Sequence, residues 1–307
     1  MGDLNDSIGK KRRPFQEAIL HWATGCLRDY PWRKQGRSPY EILIAEVLLK
    51  RTTATAAARV YDSFIHQFPT TETITAATEE QLVSALSNVG LQRQRAKSLK
   101  ALARHLTEEQ GGNIPSDVDH LLRIPGLGEY SARAVLSFGY DIPVAVLDAN
   151  VERILGRVFR EVLPQRPPGR LLQELANSLL PSESHRKHNL GLLDLGALVC
   201  RYTDPLCPEC PLTFICDYYN QNKARLIKEE PGRYETVVGA KLRNMRKEKG
   251  IGLAKLAQLA KVSKLTIIRI ESGKTSPRPE TIAKLAAAIG APTEGWRQNV
   301  TNSNHNQ

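Results

Sequence analysis

Apolar residues recur at helical spacing along most of the chain. Segments such as PYEILIAEVLL, EQLVSALSNVG and QRAKSLKALARHL place apolar side chains three or four positions apart, with Pro, Gly and Asn between the segments. No stretch alternates apolar and polar residues with the period of two that a half-buried strand needs. The pattern therefore predicts an all-α fold.

The apolar pattern is interrupted by a polar segment at residues 226–236. This segment, LIKEEPGRYET, contains a Pro-Gly pair and is typical of a linker. We therefore predict a first domain at residues 8–225 and a smaller second domain at residues 237–293. Residues 294–307 hold too few apolar side chains to form a core and are predicted to be disordered.

Positive charge is concentrated in the second domain. The formal net charge of the chain is +11, and residues 237–293 hold twelve Lys or Arg against three Glu, a net +9. Such an excess indicates a polyanionic partner, most simply nucleic acid. No apolar run approaches the roughly 20 residues of a membrane span, and the N-terminus lacks the apolar core of a signal peptide, so we expect a cytosolic protein.

Four of the five cysteines lie close together near the end of the first domain. The segment CRYTDPLCPECPLTFIC places Cys200, Cys207, Cys210 and Cys216 at C-x6-C-x2-C-x5-C spacing, whereas Cys26 stands apart. In a reducing compartment this cluster indicates a metal rather than disulfides. Four thiolates on one loop suit either tetrahedral zinc or a [4Fe-4S] cubane, and the spacing does not choose between them. Cys26 is expected to be a buried core thiol.

The segment LRIPGLGEYSARAVLSFGYDIPVAVLDANVERIL, at residues 122–155, contains a second candidate site. Its Pro-Gly-x-Gly turn, with Gly126 and Gly128, is either a plain structural turn or a place where helix N–H groups bind phosphate without base preference. Asp148 follows an apolar run and precedes another helix. It could cap that helix, or its carboxylate could stabilise the positive charge of an oxocarbenium-like state.

Hairpin, aspartate and cysteine loop, in this order, resemble the helix-hairpin-helix DNA glycosylases of the endonuclease III and MutY branch across residues 15–219. The resemblance implies two helical lobes, one of them with an iron-sulfur loop that holds a [4Fe-4S] cluster. It also implies that Asp148, in the cleft between the lobes, supports cleavage of the bond between base and deoxyribose. Because that bond is out of reach inside a duplex, the nucleotide must be flipped into a pocket.

Tyr130 stands where bifunctional members of this family carry a lysine that forms a Schiff base with the sugar. A phenol cannot form an imine, so the resemblance implies a monofunctional glycosylase. The segments SPYEILIAEVLLKRTTATAAARVYDSF, GLGEYSA, LDANVERIL and NLGLLDLGALVC together look like the Mig-type thymine DNA glycosylases, which act on T or U opposite G. This likeness implies that Glu46 lines the base pocket, and that Arg51 and Leu91 fill the space of the flipped nucleotide and contact the guanine.

Two alternatives remain open. A MutY-type adenine glycosylase shares the cluster, Glu46 and Asp148, but usually carries serine at the place of Tyr130 and glutamines at the places of Lys50 and Arg51. It also has a Nudix-like domain for 8-oxoguanine, for which the second domain here is too short. The other alternative is a regulator that has lost catalysis and senses redox state through the cluster, against which the retained carboxylates argue.

The second domain resembles the Cro/cI (XRE-type) helix-turn-helix. Its stretch LAKLAQLAKVSKLTIIRIESGK predicts a helix, a tight turn at Val262 and Ser263, and a second helix. The resemblance implies that the second helix lies in the major groove, with Ser263 as its cap and Lys264, Thr266 and Arg269 facing DNA. The positive charge favours DNA as partner, and the alternative is a dimerisation or protein-docking module.

Overall fold

The structure, a computed structural model of the 307-residue chain, describes residues 2–228, 237–272, 277 and 279–291. Within these residues it contains sixteen α-helices and no strand, so the predicted all-α class is confirmed. The chain divides into two compact units, Met1–Lys223 and Ala224–Gln307. No helix in the described part of the chain combines the length and hydropathy of a membrane span.

Twelve helices begin in the first unit. They are α1 (Gly2–Cys26), α2 (Pro39–Leu49), α3 (Ala54–Gln67), α4 (Thr71–Ala76), α5 (Glu79–Ala85), α6 (Gln92–Gln110), α7 (Val118–Arg123), α8 (Glu129–Ala134), α9 (Ala149–Val158), α10 (Gly169–Leu179), α11 (His185–Leu198) and α12 (Asp217–Lys228). A five-residue π-helical turn, Val135–Gly139, continues α8. Short 3-10 turns lie at Pro31–Arg33, Cys207–Glu209 and Thr213–Ile215.

Helix α2 runs through the core of the first lobe, which spans residues 30–136. A capping box fixes its start, because Ser38 accepts the backbone N–H of Glu41 while the Glu41 carboxylate accepts that of Ser38. Every residue from Ile42 to Leu48 is buried. A helix that is apolar on all sides belongs in a core, so the acidic side chain of Glu46 within this stretch calls for a functional explanation.

The second lobe combines the N-terminal helix with the residues that follow the hairpin. Helix α1 packs on α10 and α11, and α11 packs on α9. Phe15, Ile19 and Phe159 are fully buried in its core. Between the lobes the chain makes a close crossing at Gly139, where a Cβ atom would stand 2.7 Å from Pro39 Cα. The first unit therefore has the two helical lobes that the family resemblance implied.

The described part of the second unit contains four helices: α13 (Val237–Glu248), α14 (Leu253–Ala260), α15 (Lys264–Glu271) and α16 (Pro279–Ile289). Leu242, Leu256, Ile267 and Leu285 form its core. The predicted turn lies between α14 and α15, and Ser263 Oγ accepts the Thr266 N–H at 3.0 Å as the predicted cap.

The ends of the predicted domains stay predictions. Helix α12 continues to Lys228 and so includes the first three residues of the segment predicted as linker. Linker residues 229–236 and the predicted disordered tail, 294–307, lie outside the described residues. So does most of the GKTSP segment that follows α15.

The expectation that Cys26 is a buried core thiol is wrong, because its side chain is exposed. Cys26 is the last residue of α1. The preceding turns of this helix face the core, as Ile19 and Ala23 are buried, but the chain leaves the core at its end.

His188 is a buried histidine whose two ring nitrogens have no hydrogen-bond partner. It lies on α11, and its ring centroid is 5.9 Å from that of Phe15. Burial lowers its pKa to about 3. The unfolded chain takes up a proton near pH 6.5 while the native imidazole stays neutral, so this group's contribution to stability is full above about pH 6.5 and is lost as the pH falls.

Replacing His188 with leucine is therefore expected to weaken the acid sensitivity of the fold. At about pH 5, roughly 1.5 pH units below the pKa of the unfolded imidazole, His188 costs the wild type about 2 kcal/mol. Urea unfolding at neutral and acidic pH measures how much of the free energy of unfolding is lost on acidification. This loss should be about 2 kcal/mol smaller in His188→Leu than in the wild type. The matched variant His21→Leu, at an exposed position, should lose as much stability on acidification as the wild type does. An equal loss in the wild type and both variants would contradict this role of His188.

Candidate active site

A cavity of about 470 Å³ lies between the two lobes, within the size range of small-ligand pockets. The three predicted catalytic side chains, Glu46, Tyr130 and Asp148, all line it. They come from different elements, since Glu46 lies on α2, Tyr130 on α8 and Asp148 immediately before α9. The fold thus brings together the carboxylates and the tyrosine that the sequence singled out.

Asp148 is both a helix cap and a cavity residue. Its Oδ1 accepts the backbone N–H groups of Asn150 and Val151, each at 2.8 Å, and its Oδ2 accepts Asn150 Nδ2 at 2.8 Å. The two roles that the sequence suggested for Asp148, helix cap and catalytic carboxylate, are therefore compatible. The capping bonds fix the side chain in one orientation at the cavity wall. A carboxylate held in this way needs little reorganisation to act on a bound substrate.

A chain of hydrogen bonds joins Asp148 to the cysteine loop. Asn150, which donates to Asp148, accepts Arg153 Nη2 through its Oδ1 at 2.7 Å. Arg153 Nε in turn donates to the Cys200 carbonyl at 2.7 Å, and its Nη2 also donates to the Gly196 carbonyl at 2.9 Å. Gly196 leaves room for Asn150, since a Cβ atom there would lie 2.4 Å from Asn150 Cβ. The loop can therefore influence the orientation of Asp148.

Arg153→Met is expected to lower the rate of the chemical step about 10- to 100-fold, because a small misplacement of a reacting group can cost that much. Single-turnover base release measures the rate, and duplex affinity should change little. Arg157→Met is the matched control. Arg157 also contacts the cysteine loop, through Cys200 Sγ and the carbonyls of Arg201 and Tyr202, but makes no bond to Asn150. Equal losses in both variants would contradict a specific link to Asp148.

Glu46 is a buried acid that carries a proton at neutral pH. Burial is the main reason why its pKa rises to about 8, and the negative charge of Asp148 adds to the rise. Hydrogen bonding from Ser131 Oγ, 3.2 Å from Glu46 Oε2, and the charge of Lys50 oppose it. A carboxylic acid in a cavity beside a carboxylate forms an acid and base pair with separate roles.

Tyr130 faces the two carboxylates. Burial raises the pKa of its phenol well above 10, and the charges of Glu46 and Asp148 raise it further. The phenol therefore keeps its proton, so Tyr130 is a hydrogen-bond donor and an apolar wall rather than a nucleophile.

The cavity also contains charged residues that sequence analysis missed. Arg28 and Arg33 line it, and both bind the fully buried carboxylate of Asp194 on α11, with nitrogen–oxygen distances of 2.6–2.9 Å. Burial alone would raise the pKa of Asp194, but the hydrogen bonds from Arg33 and Arg28 outweigh it and lower the pKa. The signal was present in NLGLLDLGALVC, where one acidic residue interrupts a buried apolar helix.

The predicted hairpin consists of α7, a turn at residues 124–128, and α8. Gly126 has φ +84°, a left-handed conformation that favours glycine, whereas Gly128 has an extended backbone and open space where a Cβ would lie. Lys50 Nζ donates to the Gly126 carbonyl. The hairpin is thus attached to the end of α2, the helix that carries Glu46.

Arg51 and Leu91, the predicted contacts to the orphan base, lie beside the hairpin in a second cavity of about 400 Å³ that also contains Pro125 and Gly126. Both residues have φ +51°, a strained backbone conformation for non-glycine residues, and Leu91 is 48% exposed. Strain of this kind persists only where the surroundings enforce it.

Arg95 provides the enforcing contacts. Its buried guanidinium donates to the Gly90 carbonyl at 3.0 Å, the Val47 carbonyl at 2.7 Å, the Lys50 carbonyl and the Thr52 hydroxyl. Three of these acceptors belong to Gly90, Lys50 and Thr52, the residues next to Leu91 and Arg51, and the fourth belongs to Val47 in α2. The buried Arg95 side chain therefore fixes the residues on both sides of Arg51 and the residue immediately before Leu91.

Arg95→Met is expected to slow base release about 10-fold on duplex DNA, because the loops lose the contacts that position them. Release from single-stranded DNA, which needs no residue to replace the flipped nucleotide, should fall much less. The neighbouring Arg93 is exposed and supplies a matched control, Arg93→Met, that should behave like the wild type. Equal losses on duplex and single strand would contradict this role.

The four clustered cysteines line one small cavity together with Arg157, Pro205 and Tyr218. Burial is the main reason why the pKa of Cys210 rises to about 12, and the other three thiols contribute to that rise. Among the described residues, no group of three or more His, Cys, Asp or Glu side chains is arranged to hold a metal ion. A cubane attaches its four thiolates to four different irons, so the sulfurs must surround a common cavity rather than a common point. The donor set fits that requirement.

The predicted DNA contacts of the second unit lie on α15. Lys264 and Arg269 are exposed, whereas the Thr266 hydroxyl lies 2.7 Å from Ser263 Oγ and takes part in the helix cap. Their contact with DNA and a dimer through this unit stay predictions.

Two protein-family models match the chain. The HhH-GPD superfamily base excision DNA repair protein model matches residues 44–181, and a helix-turn-helix domain model matches residues 237–296. The first match includes Glu46, the hairpin, Tyr130 and Asp148. The second includes all four described helices of the second unit.

The chain is similar to known glycosylases over about two thirds of its length or more. The thymine/uracil-DNA glycosylase of Methanothermobacter thermautotrophicus is 35% identical over 219 residues, which are 71% of this chain and 99% of that protein. The adenine DNA glycosylase of Mycolicibacterium smegmatis is 34% identical over 195 residues, 64% of this chain and 66% of that protein. The solved structure of a thermostable thymine-DNA glycosylase superposes with a TM-score of 0.65 at 36% identity, covering 70% of this chain and 99% of that one.

Proposed function

The chain belongs to the HhH-GPD superfamily of base excision DNA repair proteins, and we propose that it hydrolyses the N-glycosidic bond of thymine or uracil mispaired with guanine. The observation that carries the proposal is that Asp148, Glu46 and Tyr130 line one cavity between two lobes. The likeness to thymine/uracil-DNA glycosylases, which extends over almost the full length of the relative, supports the choice of base.

Asp148 acts on the sugar. Breaking the bond between base and deoxyribose leaves positive charge on the anomeric carbon, and the oriented carboxylate stabilises that charge. The same carboxylate orients a water molecule for attack. Because its bonds to α9 and Asn150 are already made, little of the stabilisation is lost to rearrangement.

Glu46 acts on the departing base. A pyrimidine leaves as an anion unless it is protonated or hydrogen-bonded, and the protonated carboxyl of Glu46 donates to it. Tyr30 and Trp32, whose rings stack at a centroid distance of 5.0 Å, supply an aromatic wall for the flipped base.

The product is an intact abasic strand. No lysine is among the described residues that line the cavity, and the Tyr130 phenol forms no imine with the sugar. The nearest amine along α2 is Lys50, one turn beyond Glu46, which donates to the hairpin instead.

On the DNA side, Arg51 and Leu91 enter the space that the flipped nucleotide leaves. Arginine presents paired donors that match a guanine edge, so Arg51 contacts the orphan guanine while Leu91 packs against the stack. The backbone N–H groups of the hairpin near Gly126 and Gly128 bind a phosphate of the DNA backbone. In the second unit, Lys264 and Arg269 add contacts to duplex DNA.

The four thiols of Cys200, Cys207, Cys210 and Cys216 are proposed to hold a [4Fe-4S] cluster that supplies structural support to the second lobe. Protein purified without oxygen should contain about four irons and four sulfides per chain and absorb near 400 nm. Cys210→Ser should lose both and unfold at lower temperature, whereas Cys26→Ser should keep both. One equivalent of zinc and no iron would contradict the cluster.

Base release from labelled duplexes tests the choice of substrate. The full-length chain should release thymine from G:T and uracil from G:U pairs, and little adenine opposite 8-oxoguanine. Release of adenine alone would assign the chain to the adenine glycosylases. If no base is released from any duplex and oxidation of the cluster changes DNA affinity, the chain is a redox-sensing regulator.

A further inference from the structure

Helix α15 exposes two aliphatic side chains between two cations. Ile267 and Ile270 point into the core of the second unit and are fully buried. The opposite side of the helix is in solvent, and Leu265 and Ile268 on it are 55% and 40% exposed. This α15 face consists of Lys264, Leu265, Ile268 and Arg269.

Exposed aliphatic groups are concentrated in this small unit. Seven large hydrophobic side chains are exposed among the described residues of the whole chain, and three of them, Leu259, Leu265 and Ile268, lie on α14 and α15. Binding to phosphate alone would need only cations. Aliphatic side chains that are exposed to solvent on α14 and α15 indicate that the partner also presents apolar groups, which these side chains would contact.

The charge of the unit identifies the class of partner. Glu271, the acidic residue of α15, is buried and pairs with Arg246, with nitrogen–oxygen distances of 2.6 and 2.8 Å. The α15 face therefore carries positive charge and no acidic group, in a unit with a net +9 over residues 237–293. A polyanion that also offers apolar groups fits this face better than a protein surface does.

The major groove of DNA offers such a group. The second helix of a helix-turn-helix lies in that groove. In the matched domain α15 follows α14 after the tight turn, so α15 is the second helix of that pair. The apolar feature that a base presents there is the methyl group at C5 of thymine, which aliphatic side chains recognise by contact. A methylated cytosine carries the same group at the same place.

We propose that the α15 face binds the 5-methyl groups of pyrimidines in the major groove, with Leu265 and Ile268 against the methyl groups and Lys264 and Arg269 against phosphate or guanine. The function goes beyond base removal and does not depend on it. Deamination of 5-methylcytosine yields thymine opposite guanine, so binding to the methyl group of 5-methylcytosine would hold a thymine glycosylase where its substrate arises.

The test uses the full-length chain with Asp148→Asn, so that bases are not released while binding is measured. The probe is a duplex pool without mispairs and with a random central region, prepared in three forms: with uracil and cytosine, with thymine and cytosine, and with uracil and 5-methylcytosine. Either methyl-containing pool should bind about 4-fold more tightly for each methyl group contacted. Comparing the thymine pool with the 5-methylcytosine pool shows which of the two bases supplies the methyl group that is bound.

Variants of the α15 face separate methyl contact from general attraction. The double change Leu265→Ser and Ile268→Ser should abolish the preference for methylated pools but keep salt-dependent binding. Lys264→Gln should weaken binding to all three pools alike and lower the salt slope by about 1. Leu259→Ser removes an equally exposed leucine from α14 and should keep the preference, with folding of each variant checked by circular dichroism.

Two outcomes would overturn the proposal. Equal affinity for all three pools would show that the α15 face does not bind methyl groups. A dimer in sedimentation that dissociates in both Leu259→Ser and Leu265→Ser would show that a second copy of the chain covers these leucines instead. Neither outcome bears on base release by the first unit.

Discussion

Asp148→Asn is expected to lower the single-turnover rate of base release at G:T by about 1,000-fold or more. The change removes the negative charge that stabilises the oxocarbenium-like state, a contribution of the size found for single electrostatic groups at active sites. Asparagine caps helices as well as aspartate does, so α9 should keep its start and the protein its stability. The variant therefore separates the two roles of this side chain.

Asp117→Asn is the matched control for that experiment. Asp117 is also an N-cap aspartate, on α7, where it accepts the His120 N–H at 2.9 Å, and it does not line the cavity. Its asparagine variant should retain the wild-type rate. If both variants kept the wild-type rate while folding normally, Asp148 would be only a cap and the proposed chemistry would be wrong.

Glu46→Gln is expected to slow base release about 100- to 1,000-fold, the usual contribution of a general acid. The pKa of about 8 predicts a distinctive pH profile in the wild type. The acid form of Glu46 is the active one, so the single-turnover rate should fall as the pH rises through about 8. Glutamine donates a hydrogen bond but transfers no proton, so this fall should disappear in the variant.

Stability supplies the second readout for Glu46. Its pKa is higher in the folded than in the unfolded chain, so the folded state loses stability as the pH rises from about 4.5 through about 8. Glu46→Gln removes that loss and should unfold at higher temperature than the wild type at alkaline pH. A variant that is slow, destabilised at every pH and unchanged in its pH profile would show that Glu46 only packs.

The helices of the site could be predicted from the sequence for local reasons, whereas its three central residues were predicted from a family resemblance and from the order of motifs. Helix α2 is apolar on every side and begins with Ser-Pro and a glutamate three residues after the serine, which predicts both its burial and its start. Glu46 was expected in the base pocket because of the likeness to the Mig-type thymine DNA glycosylases, and the burial of its side chain within that helix emerged only from the structure. Asp148 and the hairpin were identified from their order along the chain.

The supporting contacts could not be predicted, because they join residues far apart in sequence. Arg28 and Arg33 bind Asp194, which lies more than 160 positions later in the sequence. Arg153, on α9, donates to the carbonyl of Cys200, which follows α11. No periodicity encodes which arginine among many meets which acceptor. Cys26 was predicted wrongly because cysteine is usually a buried residue type. Its position at the end of α1, where the side chain is exposed, could not be deduced from residue type.

Strand breakage at a G:T pair, measured with and without alkali, tests the central claim most directly. The Asp148 and Glu46 carboxyls with Tyr130 in the cavity predict breaks only after alkali, because the enzyme leaves an abasic strand intact. Breaks without alkali, together with a covalent protein–DNA adduct trapped by borohydride, would show that an amine such as that of Lys50 attacks the sugar. That result would contradict a hydrolytic mechanism.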